Sequence, residues 1–319
     1  MRGLWLENQR LRLRTDLPDP KPSQSEALVR VHLTGICRTD LELEKGYYPF
    51  TGVPGHEFVG TVVQSPSRPS LEGGRVVGEI NAVCHECAFC RRGLPNHCLN
   101  RTVLGIAGRH GSLAEYLVLP VENLKVVPAS VPDQEAVFVE PLAAALQVIE
   151  QVHIRPTDRV LLVGAGKLGQ LVARVLHRCG CRLLVKARYP LQMKLLDSVG
   201  ITSTVDTPNK GQFDIVVEAT GSPEGLETAC HCVRPRGTIV LKSTYEGRAP
   251  LDFSHIVVDE ITMVGSRCGP FEPTLAMLEK GEIRVGELVE RRFPLEEAVA
   301  AFRHARHRAA LKVLIEVES

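Results

Sequence analysis

The hydrophobic rhythm of the chain changes once. Up to about residue 130, short runs rich in Val and Ile recur: EALVRVHLTGIC (26–37), HEFVGTVVQS (56–65) and GGRVVGEIN (73–81). Stretches of turn composition, such as DLPDPKPSQSE and SPSRPSLEGG, separate them. β-Branched runs bounded by Pro and Gly read as strands. Many short strands with few helices between them predict a small β-barrel or sandwich.

From about residue 131 the pattern becomes alternating. PDQEAVFVEPLAAALQVIEQV (132–152) has apolar residues at helical spacing. Strands then follow at RVLLVG (159–164), RLLVKA (182–187), FDIVVEAT (213–220), GTIVLKS (237–243) and ITMVGS (261–266), with helical patterns at about 167–179, 190–199 and 222–233 between them. Nearly continuous apolar strands alternating with helices predict a parallel sheet covered on both faces. A further helix ends at Gly281, and the tail reads as a short strand, the helix LEEAVAAFRHARH and a strand ALKVLIEV.

The 319 residues suffice for two domains with full cores. A net charge of +1 gives no reason to expect nucleic acid or a membrane surface as partner. No apolar run reaches the roughly 20 residues of a membrane span, and MRGLWLENQRLRLRTD lacks the apolar centre of a signal peptide. A cytoplasmic protein is expected, and its ten cysteines then point to metal or burial, not disulfides.

Gly164, Gly166 and Gly169 stand in G-x-G-x-x-G spacing directly after a strand and at the start of a helix. Such glycines permit a tight turn, close approach of backbone to a pyrophosphate and close helix–strand packing. The second strand of a dinucleotide-binding unit ordinarily ends in a carboxylate for the ribose hydroxyls of NAD. Here that position reads Ala187-Arg188. A small residue followed by a guanidinium suits the 2′-phosphate of NADP, with Lys186 or Arg182 adding charge, so NADP is expected over NAD. Cys84, Cys87, Cys90 and Cys98 have the spacing of a closed four-thiolate zinc site, with His85 and His97 as neighbouring competitors. The other cysteines (Cys179, Cys181, Cys230, Cys232, Cys268) read as small buried hydrophobes. Cys37, Asp40, His56 and Glu57 offer further zinc-ligand types within one short stretch.

The order GICRTD, GHEFVG, four-cysteine lobe, GSLAEY, VEPLAAAL, VGAGKLG, VEATGS, FPLEEAVAAF and LKVLIEV resembles the zinc-containing medium-chain dehydrogenase/reductase superfamily, the alcohol, polyol and threonine dehydrogenase relatives. The resemblance covers nearly the whole chain. It implies an α/β plus β fold: a GroES-like β-barrel catalytic domain (1–131 and 282–319) with an inserted Rossmann doubly wound parallel-sheet domain (132–281). It implies one catalytic zinc held by Cys37 and His56, with Glu57 and Glu140 at or near the metal, and one structural zinc in the four-cysteine lobe. Thr39 would take the alcohol proton, and Arg38, Gly164, Gly166, Lys167, Leu168, Gly169, Ala187, Arg188, Thr220 and Gly221 would contact the cofactor. The expected reaction is hydride transfer between an alcohol or polyol and NAD(P). A homodimer or homotetramer, paired through the strand near 261–266, is also implied. Tyr47, Tyr48, Phe50, Phe89 and His110 flank the metal motifs and are candidates for the substrate wall.

Three departures stand out. Glu42 replaces a His common in the alcohol dehydrogenases, Gly74 replaces the usual Asp, and the chain is short for the family. Two other readings stay open: a lyase or isomerase with a retained nucleotide, and a non-catalytic metal- and nucleotide-binding protein. The joint presence of Cys37, Thr39 and His56 argues against the second.

Overall fold

The computed structural model describes residues 1–244, 251–307 and 309–317. The chain opens with a hairpin, β1 (Gly3–Glu7) and β2 (Arg10–Arg14). Its two turn residues, Asn8 and Gln9, both have positive φ (49° and 60°), as a two-residue hairpin turn requires. Next come β3 (Glu26–Gly35), helix α1 (Arg38–Glu44), β4 (Glu57–Gln64) and β5 (Arg75–Gly78). Three short strands, β6 (Asn81–Ala82), β7 (Thr102–Leu104) and β8 (Gly108–Arg109), flank the cysteine lobe, which carries the four-residue α2 (Ala88–Arg91). β9 (Tyr116–Pro120) and β10 (Leu124–Val126) follow.

After α3 (Asp133–Ala136) and α4 (Val139–Gln151), strands and helices alternate through β11 (Arg159–Val163), α5 (Lys167–Arg178), β12 (Arg182–Lys186), α6 (Pro190–Asp197), β13 (Ser203–Thr204), β14 (Phe213–Glu218), α7 (Pro223–Cys232), β15 (Val233–Leu241), α8 (Phe253–Val258) and β16 (Thr262–Gly265). The chain then runs through α9 (Phe271–Glu279), β17 (Val289–Pro294), α10 (Ala298–Ala305) and β18 (Lys312–Glu316). Gly281, at φ 63°, supplies the left-handed residue that stops α9 where the sequence places its end.

Two compact units result, Met1–Glu140 with Phe271–Ser319, and Pro141–Pro270. In the first, seven strands form one sheet in the order β10-β5-β4-β3-β18-β17, with β9 added on β3. β3 is its hub: β4 pairs along one edge, while β9 and β18 share the other. Alternate residues Ala27, Val29, Val31 and Leu33 are buried, the period of a strand with one face on a core. In the second unit, six strands run parallel in the order β13-β12-β11-β14-β15-β16. The order reverses beside β11, and ligands of such sheets bind outside the strand C-termini at that reversal. Leu161, Val163, Val216, Cys232 and Ile239 sit in the core between this sheet and α7.

The division differs from the boundaries expected at 131/132 and 281/282. Residues 132–140 and 271–281 pack with the first unit. Asp133 explains the first part. Its carboxylate accepts from His32 Nδ1 (2.9 Å) and Arg75 Nη1 (2.5 Å), while Arg75 Nη2 also donates to the carbonyls of Pro128 and Val131 (both 2.9 Å). The expected continuous helix over 132–152 is split before Val139. A proline deep in a helix deletes a backbone bond, whereas Pro141 in the first turn of α4 does not.

Candidate active site

Cys37 occupies the N-cap of α1, immediately after β3, and His56 and Glu57 lie at the start of β4. One ligand atom from each of Cys37, His56 and Glu57 falls within 4.8 Å of the others. That donor set of thiolate, imidazole and carboxylate suits zinc. Asp40 ties the two segments together. Its Oδ2 accepts the Cys37 backbone N–H (2.8 Å), and its Oδ1 accepts the Gly55 N–H (3.1 Å) and lies 3.4 Å from His56 Nδ1. With Nδ1 facing Asp40, the ring's Nε2 is the nitrogen available to a metal. Burial works against charge on His56, but Asp40 and then Cys37 outweigh it and raise its pKa well above the ordinary imidazole value.

Glu57 is almost wholly buried, and Lys312 from β18 donates to its Oε2. β3 runs between the two, and a Cβ at Gly35 would overlap that same carboxylate oxygen. Glycine at this position therefore makes the pair possible. The second oxygen, Glu57 Oε1, is buried with no hydrogen-bond partner. A buried acceptor without a donor is costly, and a cation beside it removes the cost. Lys312 has its own pKa raised: burial opposes its charge, and Glu57, Cys37 and Glu140 together prevail. Cys37, Glu57 and Glu140 thus act on the buried Lys312 ammonium, while Asp40 acts on His56.

Glu140 lies in the first turn of α4, half-buried, and acts on Lys312 through space without joining the close group of Cys37, His56 and Glu57. Thr39 Oγ1 lies 3.8 Å from Cys37 Sγ. Glu42 is accounted for by its cations: its carboxylate pairs with Arg38 Nε at 2.6 Å and Lys45 Nζ at 3.2 Å on the surface of α1. Of the candidate wall residues, Tyr47 and Tyr48 are exposed, His110 stacks on Trp5 at 5.4 Å and accepts the Val53 N–H, and Phe89 packs against His97 in the cysteine lobe.

The four lobe cysteines also offer Sγ atoms within 4.8 Å of one another, and no third group of this kind occurs among the described residues. His85 pairs instead with Glu122 at 2.5 Å. Backbone N–H groups directed at the sulfurs lower the pKa of Cys84 and Cys87, while burial and the neighbouring thiols raise that of Cys90. Cys232 is a buried core residue whose thiol burial pushes up to about 11.

At the nucleotide end, Gly164 has φ 103°, and a Cβ there would lie 2.9 Å from Thr220 Cγ2 and 3.0 Å from the Ala219 carbonyl. Ala219 and Thr220, just after β14, thus flank the glycine turn, whereas Gly221 faces Ser243 and Thr244. A Cβ at Gly169 would strike Gly164 O, which fixes the helix–strand approach, while a Cβ at Gly166 would meet nothing. That open space at the N-cap of α5, where N–H groups point outward, fits a pyrophosphate. Lys167 and Leu168 form the first turn of that helix. Ala187 is buried at the end of β12, and Arg188 beside it is exposed, its guanidinium 5.9 Å from the Tyr189 ring centroid. Lys312, a lone cation in an apolar strand, escaped the sequence reading. Asp40, read there as a possible ligand, instead stands three residues after an N-cap, as in a capping box, and braces Cys37 and Gly55.

Residues 23–130 match the alcohol dehydrogenase GroES-like domain, and residues 168–280 match the zinc-binding dehydrogenase family. An erythritol/L-threitol dehydrogenase of Mycolicibacterium smegmatis is 30% identical over 317 residues, 88% of this chain and 87% of the relative. A protein of Sinorhizobium meliloti 1021 solved with NADP superposes with a TM-score of 0.92 at 26% identity, covering 99% of both chains. An alcohol dehydrogenase of Escherichia coli CFT073 solved with NADH gives 0.90 at 26%, again over 99% of both. The chain belongs to the zinc-containing medium-chain dehydrogenase/reductase superfamily. It is a zinc-dependent oxidoreductase acting on CH–OH groups, moving hydride between an alcohol or polyol and a nicotinamide nucleotide. The lyase or isomerase reading finds no support. Among the described residues no helix is long and apolar enough to cross a membrane.

Proposed function

We propose that the chain oxidises a small polyol with NADP, using one catalytic zinc held by Cys37, His56 and a carboxylate, and one structural zinc held by Cys84, Cys87, Cys90 and Cys98. The observation that carries the catalytic site is the buried, partnerless Glu57 Oε1 beside Cys37 and His56. Zinc there supplies a Lewis acid that makes a hydroxyl easier to deprotonate, and the nicotinamide supplies the hydride acceptor. The chain's own part is to orient and to move the proton. Thr39 accepts the substrate proton on Oγ1 as its own hydroxyl proton passes onward toward the cofactor ribose. Asp40 holds the Cys37 backbone N–H and faces His56 Nδ1, which leaves Nε2 for the metal. Lys312 holds one oxygen of Glu57 and leaves the other for the metal, and Glu140 stands by as the alternative ligand.

NADP is favoured because β12 ends without a carboxylate and because, among the described residues, the Arg188 guanidinium has no acidic partner. Ten free thiols suit a reducing compartment such as the cytoplasm. β16 pairs with β15 and, among the described residues, with no other strand, which leaves a sheet edge through which a homodimer or homotetramer would form. A panel of alcohols and polyols assayed with both nucleotides tests the reading. The expected result is highest kcat/KM with a polyol and NADP, and a higher kcat/KM with NAD on every good substrate refutes the cofactor assignment.

A further inference from the structure

Gln170, Arg174 and Gln192 are long polar side chains buried within the nucleotide-binding unit, and the reaction as described uses none of them. Gln170 is fully buried, and Arg174 and Gln192 are each 5% exposed. They form a chain. Arg174 Nη1 donates to Gln170 Oε1 (2.8 Å) and to its carbonyl (3.1 Å). Gln170 Nε2 donates to Gln192 O (3.0 Å) and to Ala165 O in the glycine turn (3.2 Å). Gln192, the third residue of α6, then accepts the backbone N–H groups of Arg188 (3.3 Å) and Tyr189 (3.4 Å) on Oε1.

The chain therefore spans two turns. One is the glycine turn at Ala165 and Gly166, where the pyrophosphate fits. The other is the turn after β12, where the ribose 2′ position would lie. An anion reaching this second turn has two sources of hydrogen-bond donors, the backbone amides and the Arg188 guanidinium. Gln192 Oε1 occupies both amides. Lys186 Nζ gives one of its three N–H groups to Val205 O at 2.8 Å, whereas the exposed guanidinium of Arg188 makes no ion pair among the described residues.

We infer that Gln192, held in place by Gln170 and Arg174, is a positioning residue for cofactor choice: it turns the amides of Arg188 and Tyr189 inward and leaves the Arg188 guanidinium to bind the 2′-phosphate. This rests on the NADP reading above. Gln192→Met keeps the length of the side chain and removes the acceptor. Gln192→Glu keeps the acceptor at a helix position that favours glutamate and places a negative charge against the same two amides.

The test measures dissociation constants of NADPH and NADH by nucleotide fluorescence on the zinc-loaded wild type, both Gln192 variants and Arg188→Ala. Loss of two modest hydrogen bonds, or addition of one opposing charge, should weaken NADPH about five- to tenfold and NADH less than about twofold. A purely structural glutamine would weaken both nucleotides equally, and that result, or no change in the NADPH/NADH ratio for either variant, overturns the inference. If the wild type prefers NADPH and Arg188→Ala abolishes the preference while the Gln192 variants keep it, only the role of Gln192 falls. A wild type that binds NADH more tightly overturns the cofactor reading with it.

Discussion

Replacing Lys312 by methionine should destabilise the metal-free protein far more than the zinc-loaded one. Methionine keeps the apolar stem and most of the volume, so the chief loss is the ammonium. The Lys312 side chain is 3% exposed and that of Glu57 1%, so the carboxylate left behind has almost no access to water. Breaking a buried pair by removing one partner costs about 3–5 kcal/mol. For a unit of this size, each kcal/mol lowers Tm by roughly 2–4 °C, which gives a fall of about 6–20 °C. Zinc beside Glu57 would restore positive charge, so the fall should shrink when calorimetry is repeated on zinc-loaded protein. Adding Glu57→Gln to the variant removes the stranded charge and should recover much of the loss, as expected for coupled neighbours. Equal stability of wild type and Lys312→Met after chelation, or a double variant no better than the single one, refutes the reasoning.

Metal analysis should find about two zinc ions per chain; Cys37→Ser should lose one of them and alcohol oxidation while still binding nucleotide, and retained activity would remove Cys37 from the site. Gly169→Ala should unsettle the glycine turn, because its Cβ would strike Gly164 O, and nucleotide titration should show affinity at least about tenfold weaker with zinc content unchanged. The hydrogen bond from His32, opposed by burial and joined by Arg75, holds the Asp133 carboxyl below its ordinary pKa. A depressed folded-state pKa means stability that is present above about pH 4 and lost as pH falls through the lowered value. Asp133→Asn should therefore lower the urea midpoint at pH 7 and flatten its decline in acid, and identical midpoints at every pH would refute the linkage.

The two-part architecture was legible because period-2 and period-3.6 patterns occupy different stretches of the chain and because Gly164, Gly166 and Gly169 stand at a strand–helix junction. Cys37, His56 and Glu57 do gather in space, and the four lobe cysteines gather separately. What sequence could not convey was pairing between distant segments. Asp133 looked like the start of the nucleotide-binding domain, yet its bonds to His32 and Arg75 hold it to the first sheet. Glu42 looked like an unexplained replacement until Arg38 and Lys45 were seen to share its carboxylate. Helix α1 was too short for a periodic signal, and the β1–β2 hairpin carries polar turn residues without glycine. Lys312 was quoted only as part of a strand motif, since nothing local says that a carboxylate 255 positions earlier awaits it.

That separation has a consequence for how the protein is made. Glu57 and Gly35 leave the ribosome early, but β18, the strand that seats itself against β3 and brings Lys312, follows only after the entire parallel-sheet unit has been synthesised. The parallel-sheet unit can collapse on its own contiguous segment, whereas the catalytic sheet must wait with β3 unpaired over Leu33–Gly35 on one side. Late, non-local pairing of this kind is slow and leaves a strand edge exposed meanwhile. The nascent chain is thus most vulnerable to misassociation in the interval before β18 arrives, and the charge of Glu57 is without its cation for the whole of that time.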